Sequence, residues 1–329
     1  MVNLKKGDTI GIVAPSSPIS IFCPRRTERG VSSLRKMGFE VKLGKTVKKK
    51  YSFTAGTSED RVADIHDMFI DPKVKAIMAT IGGFNVNDIL EKLDYKLIQK
   101  YNNKLFIGYS DISILLLILN QKSGVPTIMG PMLLPQFGEY PEVIDFTKKS
   151  FLYVTNELGT KKQYKLPCSS KMTEEMLLWD EEDSRKRKMQ NNPGWKIIKH
   201  GKAKGYLMAT NLNTLLSLSG TKYFPELQGS ILFLEDDSDE SAATLQRMLM
   251  QLKQMGVIKK LKGLVFGRFQ KKSEITIQLL KEIVDDTFGE IDIPIIANCD
   301  FGHTDPMLSL PIGKKVVIST DDKEIEIEL

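Results

Sequence analysis

Short apolar runs alternate with longer amphipathic ones through the first part of the chain. Thr9 to Ala14 (TIGIVA) predicts a strand, and the following Pro15-Ser-Ser-Pro18 a turn. Thr27 to Lys36 has helical spacing, and Glu40 to Leu43 the alternation of a strand. Ser58-Glu-Asp-Arg61 opens a helix reaching about Phe69, with Thr57 or Ser58 as its cap. Val74 to Thr80 is strand-like, Val86 to Leu93 helical, Leu105 to Ile107 a buried strand, and residues 111 to 122 a helix rich in leucine and isoleucine. Such βαβα alternation predicts a parallel sheet covered by helices.

Between Pro131 and Pro141 the pattern breaks into loop, and Val143 to Leu152 resumes as a helix. From about residue 165 its character changes. Short strands at 203–207, 230–235, 263–268, 294–297 and 315–319 mix with helices at 211–219, 240–255 and 273–286, and the tail 323–329 alternates strictly. The expectation is an α/β chain of two domains, residues 1–160 and a smaller α+β domain at 165–329. Residues 179–195 (WDEEDSRKRKMQNNPGW) form a charged insert carrying both tryptophans. Either those tryptophans anchor a surface loop, or the insert covers substrate and one ring stacks on a planar group.

Composition narrows the partners. The 329 residues are 41% hydrophobic and 27% charged, with a net charge of +6, the balance of an ordinary folded protein. The basic runs 48–50 and 185–188 carry no interleaved aromatics, so nucleic acid is not an expected partner. No run reaches the roughly 18 apolar residues of a membrane span, and the N-terminus lacks the pattern of a secretory signal. The expected compartment is the cytoplasm. Cys23, Cys168 and Cys299 are isolated in sequence, so neither a disulfide nor zinc is expected, and no cofactor is.

Candidate chemistry begins at Gly108-Tyr-Ser-Asp111, where a short strand passes directly into a helix. A serine there points outward beside free helix N–H groups, which suits a nucleophile, although Ser110 or Asp111 equally fits a helix cap. Of three histidines, His66 lies in a charged helix and His200 among lysines; His303 follows an apolar strand in the loop CDFGHTDP. It fits a catalytic base, or a loop residue bonded to Thr304 or Asp305. Glu235 ends the apolar strand SILFLE, where a carboxylate needs a partner such as histidine; otherwise the acidic run caps the next helix. Gly82-Gly83 ends another strand, and adjacent glycines expose N–H groups to a ligand. The N–H groups of Gly83 and Asp111 are the expected oxyanion donors. Nucleophile and base would lie in different domains.

IGIVAPSS, TIGGFN, IGYSDIS, the strand ending LFLED and FGHTDP, taken together and in this order, resemble the L,D-carboxypeptidase family of serine peptidases. The resemblance implies a Rossmann-like N-terminal domain, a smaller C-terminal one, a homodimer, and a triad of Ser110, His303 and Glu235. One branch trims D-alanine from murein tetrapeptides. A second resembles the microcin C self-immunity protein, which cleaves an amide joining an aminoacyl or peptidyl group to a nucleotide-like moiety. TIGGFN and the insert with NNPGW favour the second branch, and Gly82, Phe84, Asn85, Trp195 and Asn211 are its implied substrate contacts. Trp195 would stack on the base. Ala209-Thr210 before Asn211 stands where the family has small glycines. A non-catalytic module that sequesters a small aminoacyl ligand is the remaining alternative.

Overall fold

The computed structural model describes residues 3–289 and 291–329. Its strands are β1 (Thr9–Val13), β2 (Glu40–Leu43), β3 (Val74–Ala79), β4 (Leu105–Gly108), β5 (Thr127–Met129), β6 (Gln163–Lys165), β7 (Lys171–Met172), β8 (Gln190–Asn191), β9 (Lys196–Lys199), β10 (Lys202–Asn211), β11 (Ser230–Glu235), β12 (Gly263–Gly267), β13 (Ile295–Cys299), β14 (Leu310–Pro311), β15 (Lys315–Ser319) and β16 (Glu324–Glu328). The helices are α1 (Ile19–Phe22), α2 (Pro24–Lys36), α3 (Ser58–Ile70), α4 (Tyr95–Lys100), α5 (Ile112–Ser123), α6 (Asp145–Glu157), α7 (Leu212–Leu216), α8 (Ala242–Gln254) and α9 (Ile277–Phe288).

The chain divides into two units, and neither is one continuous stretch. Unit one comprises Met1–Thr160, Glu175–Lys188 and Leu308–Ile312; unit two comprises Lys161–Glu174, Met189–Met307 and Gly313–Leu329. The expected insert is therefore split. Its first part belongs to unit one because its carboxylates bind there. Asp180 accepts hydrogen bonds from the Arg25 and Arg26 N–H groups, each at 2.7 Å. It thereby caps α2, whose own cap residue Cys23 makes no side-chain cap hydrogen bond. Arg26 is buried against Asp183 at 2.7 Å, and its guanidinium lies 4.3 Å from the centre of the Trp179 ring.

Unit one holds a six-stranded sheet ordered β14-β5-β4-β3-β1-β2. All its pairings are parallel except β14 on β5. The order 2-1-3-4-5 is doubly wound, and its switch point lies between β1 and β3, where ligands characteristically bind at the strands' carboxyl ends. The inner strands β1, β3, β4 and β5 are buried because helices cover them: α3 packs on β1 and β3, and α5 on β4 and β5. From Ile112 to Leu119 every residue of α5 is buried, so this helix is apolar all round. Burying each of its leucines is worth about 2 kcal/mol.

Two expectations in this unit differ from the structure. The helix expected over 86–93 is a single tight turn at Val86–Ile89 followed by α4. Asn85 precedes it in the left-handed conformation, and Asp94 starts α4 by accepting from the N–H groups of Lys96 and Leu97. The region 131–141 contains a π-helical turn, Leu133–Phe137, held by the Gln136 side chain, which accepts from Met132 N–H and donates to the Tyr109 hydroxyl.

Unit two holds an eight-stranded sheet ordered β6-β16-β15-β10-β11-β12-β13-β9. Its centre, β10 to β13, is parallel, and antiparallel strands flank it on both sides. The parallel strands are joined by α7, α8 and α9, and they align their carboxyl ends: Asn211 stands beside Glu235 in register.

Candidate active site

In unit one the carboxyl ends of β1, β3 and β4 bring the sequence candidates together. Ser110 sits in the middle of the three-residue turn, Tyr109 to Asp111, from β4 to α5, with φ +60. A serine gains nothing from this left-handed conformation, which costs it about 1–2 kcal/mol. Asp111 occupies the cap position of α5 but makes no side-chain cap hydrogen bond. Its buried carboxylate instead accepts from Ser16 Oγ at 2.6 Å and from the Val86 N–H at 3.0 Å. Burial pushes this carboxyl above its usual range, and those two hydrogen bonds pull against it. The cap reading of Asp111 therefore fails on geometry, since its side chain serves the turn after β3.

That turn carries Gly82 to Asn85. A Cβ on Gly82 would stand 2.9 Å from Ser110 Cβ, 3.1 Å from its Oγ and 3.2 Å from the Asp111 nitrogen, so only glycine allows this approach. Gly83 has φ +129, and Asn85 is also left-handed with φ +70. The Asn85 and Pro15 carbonyls both accept from the buried Arg61 guanidinium, which also pairs with Asp88 at 2.8 Å. Phe84 is 76% exposed.

In unit two, Glu235 and His303 form a pair. His303 Nδ1 donates to Glu235 Oε2 at 2.6 Å. The Glu235 side chain is buried, and its Oε1 has no hydrogen-bond partner among the described residues. Gly302 (φ +97) lets the loop close over it, because a Cβ there would lie 2.8 Å from Glu235 Cβ and Oε2. Burial alone would disfavour a charged imidazole. The adjacent Glu235 carboxylate outweighs that, with Asp237 and Asp236 adding to it, and pushes His303 up to about 9. Asp236 is itself raised to about 7, first by burial and then by repulsion from Glu235.

Asn211 caps α7 by accepting from the Thr214 N–H, and its amide donates to Asp236 at 2.9 Å. Trp195 immediately precedes β9 and is 9% exposed, with its indole N–H buried and without a hydrogen-bond partner among the described residues. The half-buried Trp179 belongs to unit one. His200 is exposed and pairs with Asp321, while His66 accepts from the Asp94 N–H.

Sequence reasoning passed over several polar residues. Arg268, at the end of GLVFGR, is buried and spans the histidine loop, donating to Asp300 at 2.6 Å on one side of His303 and to Thr304 at 3.1 Å on the other. Asp300 also accepts from Ser169 and Asn192. The available signal was an arginine closing an apolar strand, which needs a buried anion as partner. Ser16 and Ser17 were visible in IVAPSS only as a turn.

Comparison with known proteins places these features in a family. The chain matches the LD-carboxypeptidase N-terminal domain over residues 10–130 and the LD-carboxypeptidase C-terminal domain over 204–318. It is 35% identical to the microcin C7 self-immunity protein MccF of Escherichia coli, covering 98% of this chain and 94% of that one. To a probable murein peptide carboxypeptidase of Bacillus subtilis it is 33% identical, covering 99% and 93% respectively. The solved structure of MccF in complex with glutamyl sulfamoyl guanosine superposes with a TM-score of 0.90 at 34% identity, over 100% of this chain and 98% of that one. The chain belongs to the LD-carboxypeptidase family of serine peptidases.

Proposed function

We propose that this peptidase uses Ser110, His303 and Glu235 as a catalytic triad to cleave the amide joining an aminoacyl or peptidyl group to a nucleotide-like moiety. The observation that carries the nucleophile is Ser110 itself, held at φ +60 on a strand-to-helix turn with Gly82 packed against it. In this reading the Glu235 bond fixes the proton on Nδ1, so Nε2 is the atom that takes the Ser110 proton. Ser110 Oγ attacks the carbonyl carbon, and the Gly83 and Asp111 N–H groups receive the oxyanion, each worth about 3–4 kcal/mol. The imidazolium returns its proton to the leaving nitrogen, and water then releases the acyl group through the same steps in reverse. The likeness to MccF across both domains supports the nucleotide-like leaving group. Of the two tryptophans, Trp179 keeps more open ring than Trp195 and is backed by Arg26, so it is the better aromatic contact for a base.

The similarity to a murein peptide carboxypeptidase favours a second reading, release of D-alanine from a cell-wall tetrapeptide. Side-by-side hydrolysis of glutamyl sulfamoyl guanosine and a murein tetrapeptide separates them. The first reading expects kcat/KM at least about a hundredfold higher on the nucleoside. Release of D-alanine with the nucleoside left intact overturns it in favour of the second.

The close approach at residue 82 gives a further expectation. Gly82→Ala places a methyl group 2.9 Å from Ser110 Cβ and displaces either the nucleophile or the oxyanion turn. Turnover should fall about a hundredfold with folding retained. A near-native kcat in this variant would show that the turn's position does not matter to catalysis.

A further inference from the structure

The loop after β1 supplies none of the triad, yet both of its serines are buried and both reach the turn after β3. Ser17 directs two donors at one acceptor. Its N–H lies 3.2 Å and its Oγ 2.7 Å from the Gly82 carbonyl oxygen. That carbonyl belongs to the peptide joining Gly82 to Gly83.

This peptide is the one whose orientation is least determined by its own residues. Glycine adopts positive and negative φ with similar ease, so a Gly-Gly peptide can rotate about its axis at little cost. Rotation would exchange the directions of the Gly82 carbonyl and the Gly83 N–H, which a trans peptide holds on opposite sides. Binding the carbonyl on the Ser17 side therefore turns the Gly83 N–H away from Ser17. The contact is also tight: a Cβ on Gly83 would stand 2.6 Å from Ser17 Cβ and 2.7 Å from its Oγ. Ser16 lies against the next stretch of the turn, its hydroxyl donating to Asp111 at 2.6 Å with the Phe84 carbonyl oxygen 3.1 Å away.

We propose that Ser17 is a positioning residue of this peptidase, locking the Gly82–Gly83 peptide in the one orientation that presents the Gly83 N–H to the oxyanion. The inference rests on the reading of Gly83 as an oxyanion donor. Ser17 touches no reacting atom; it acts through the peptide plane. A side chain that fixes a donor used only in the transition state affects kcat and leaves ground-state binding alone.

The test uses Ser17→Ala, with the nearly isosteric but weaker donor Ser17→Cys as a second variant and Ser110→Ala as a control. Each is assayed on whichever substrate the wild type cleaves, and each is titrated with a peptide boronic acid, whose serine adduct carries a tetrahedral anion. Losing one neutral hydrogen bond should lower kcat about fivefold to tenfold at unchanged KM, and weaken the boronic acid by the same factor. Ser17→Cys should fall between alanine and wild type. Unchanged kcat in both Ser17 variants, with Ser110→Ala inactive, overturns the role of Ser17 and leaves the nucleophile standing. A fall in kcat with no loss of boronic acid affinity also overturns it, because a general structural defect would then explain the rate. An active Ser110→Ala removes the parent reading instead.

Discussion

Replacing Ser110 with alanine is expected to lower kcat by about a thousandfold to a millionfold while KM and the melting temperature stay close to wild type. With Ser110 as the proposed nucleophile, the rate effect follows from removing the atom that would form the acyl bond; what survives is the contribution of the oxyanion donors and of binding. The stability expectation follows from the backbone. Ser110 already stands at φ +60, and alanine inherits that conformation without easing it. Glycine would ease it. Ser110→Gly should be as inactive as the alanine variant yet more stable than it by about 0.5–1 kcal/mol, because relief of the left-handed strain exceeds glycine's entropic cost. Calorimetry on the two variants, alongside their turnover, checks both halves. Equal stability of alanine and glycine variants would mean that residue 110 is not strained, and near-native turnover in either would remove Ser110 as nucleophile.

What the sequence conveyed and what it hid follow from the range of the interactions involved. Strands such as Glu40–Leu43, Ser230–Glu235 and Lys315–Ser319 were legible to the residue, since each is a short apolar or alternating run between polar breaks. The short strands β5 and β14 were not, because neither has more than three residues, and β14 pairs with β5 across some 180 positions of sequence. The capping of α2 by Asp180 is likewise a distant event, invisible in the local pattern around Pro24. In the candidate site, the proposed triad residues Ser110, Glu235 and His303 could be picked out by residue type at or just after the ends of strands. The polar residues that hold them did not. Asp111 reads locally as a helix cap and spends its carboxylate on Ser16 and Val86 instead. Arg268 reads only as the last residue of a strand and is buried against Asp300. Burial turns such groups from solvated ends into obligatory partners, and burial depends on the packing of the whole unit.

The other large effect concerns Glu235. His303 in the resting protein is pushed up to about 9 by that carboxylate, against the opposing effect of burial. As the proposed general base, His303 must be neutral to act, so kcat/KM should rise with pH along an ascending limb that extends towards pH 9. Glu235→Gln keeps the shape of the side chain and removes its charge. Burial is then opposed only by Asp237 and Asp236, and the limb should move down towards the ordinary histidine value of about 6.5. The plateau should nonetheless lie about a thousandfold to ten-thousandfold below wild type, because an amide no longer enforces the Nδ1-protonated tautomer or stabilises the imidazolium formed in the transition state. The same ion pair has a signature in stability. A histidine whose folded pKa is raised from 6.5 to about 9 adds stability that is complete below pH 6.5 and is lost as pH climbs through 9. Wild type should therefore lose more melting temperature between pH 7 and pH 10 than Glu235→Gln does. A pH–rate limb at the same position in both proteins would show that Glu235 does not set the protonation of His303, and the acid of the triad would have to be sought elsewhere.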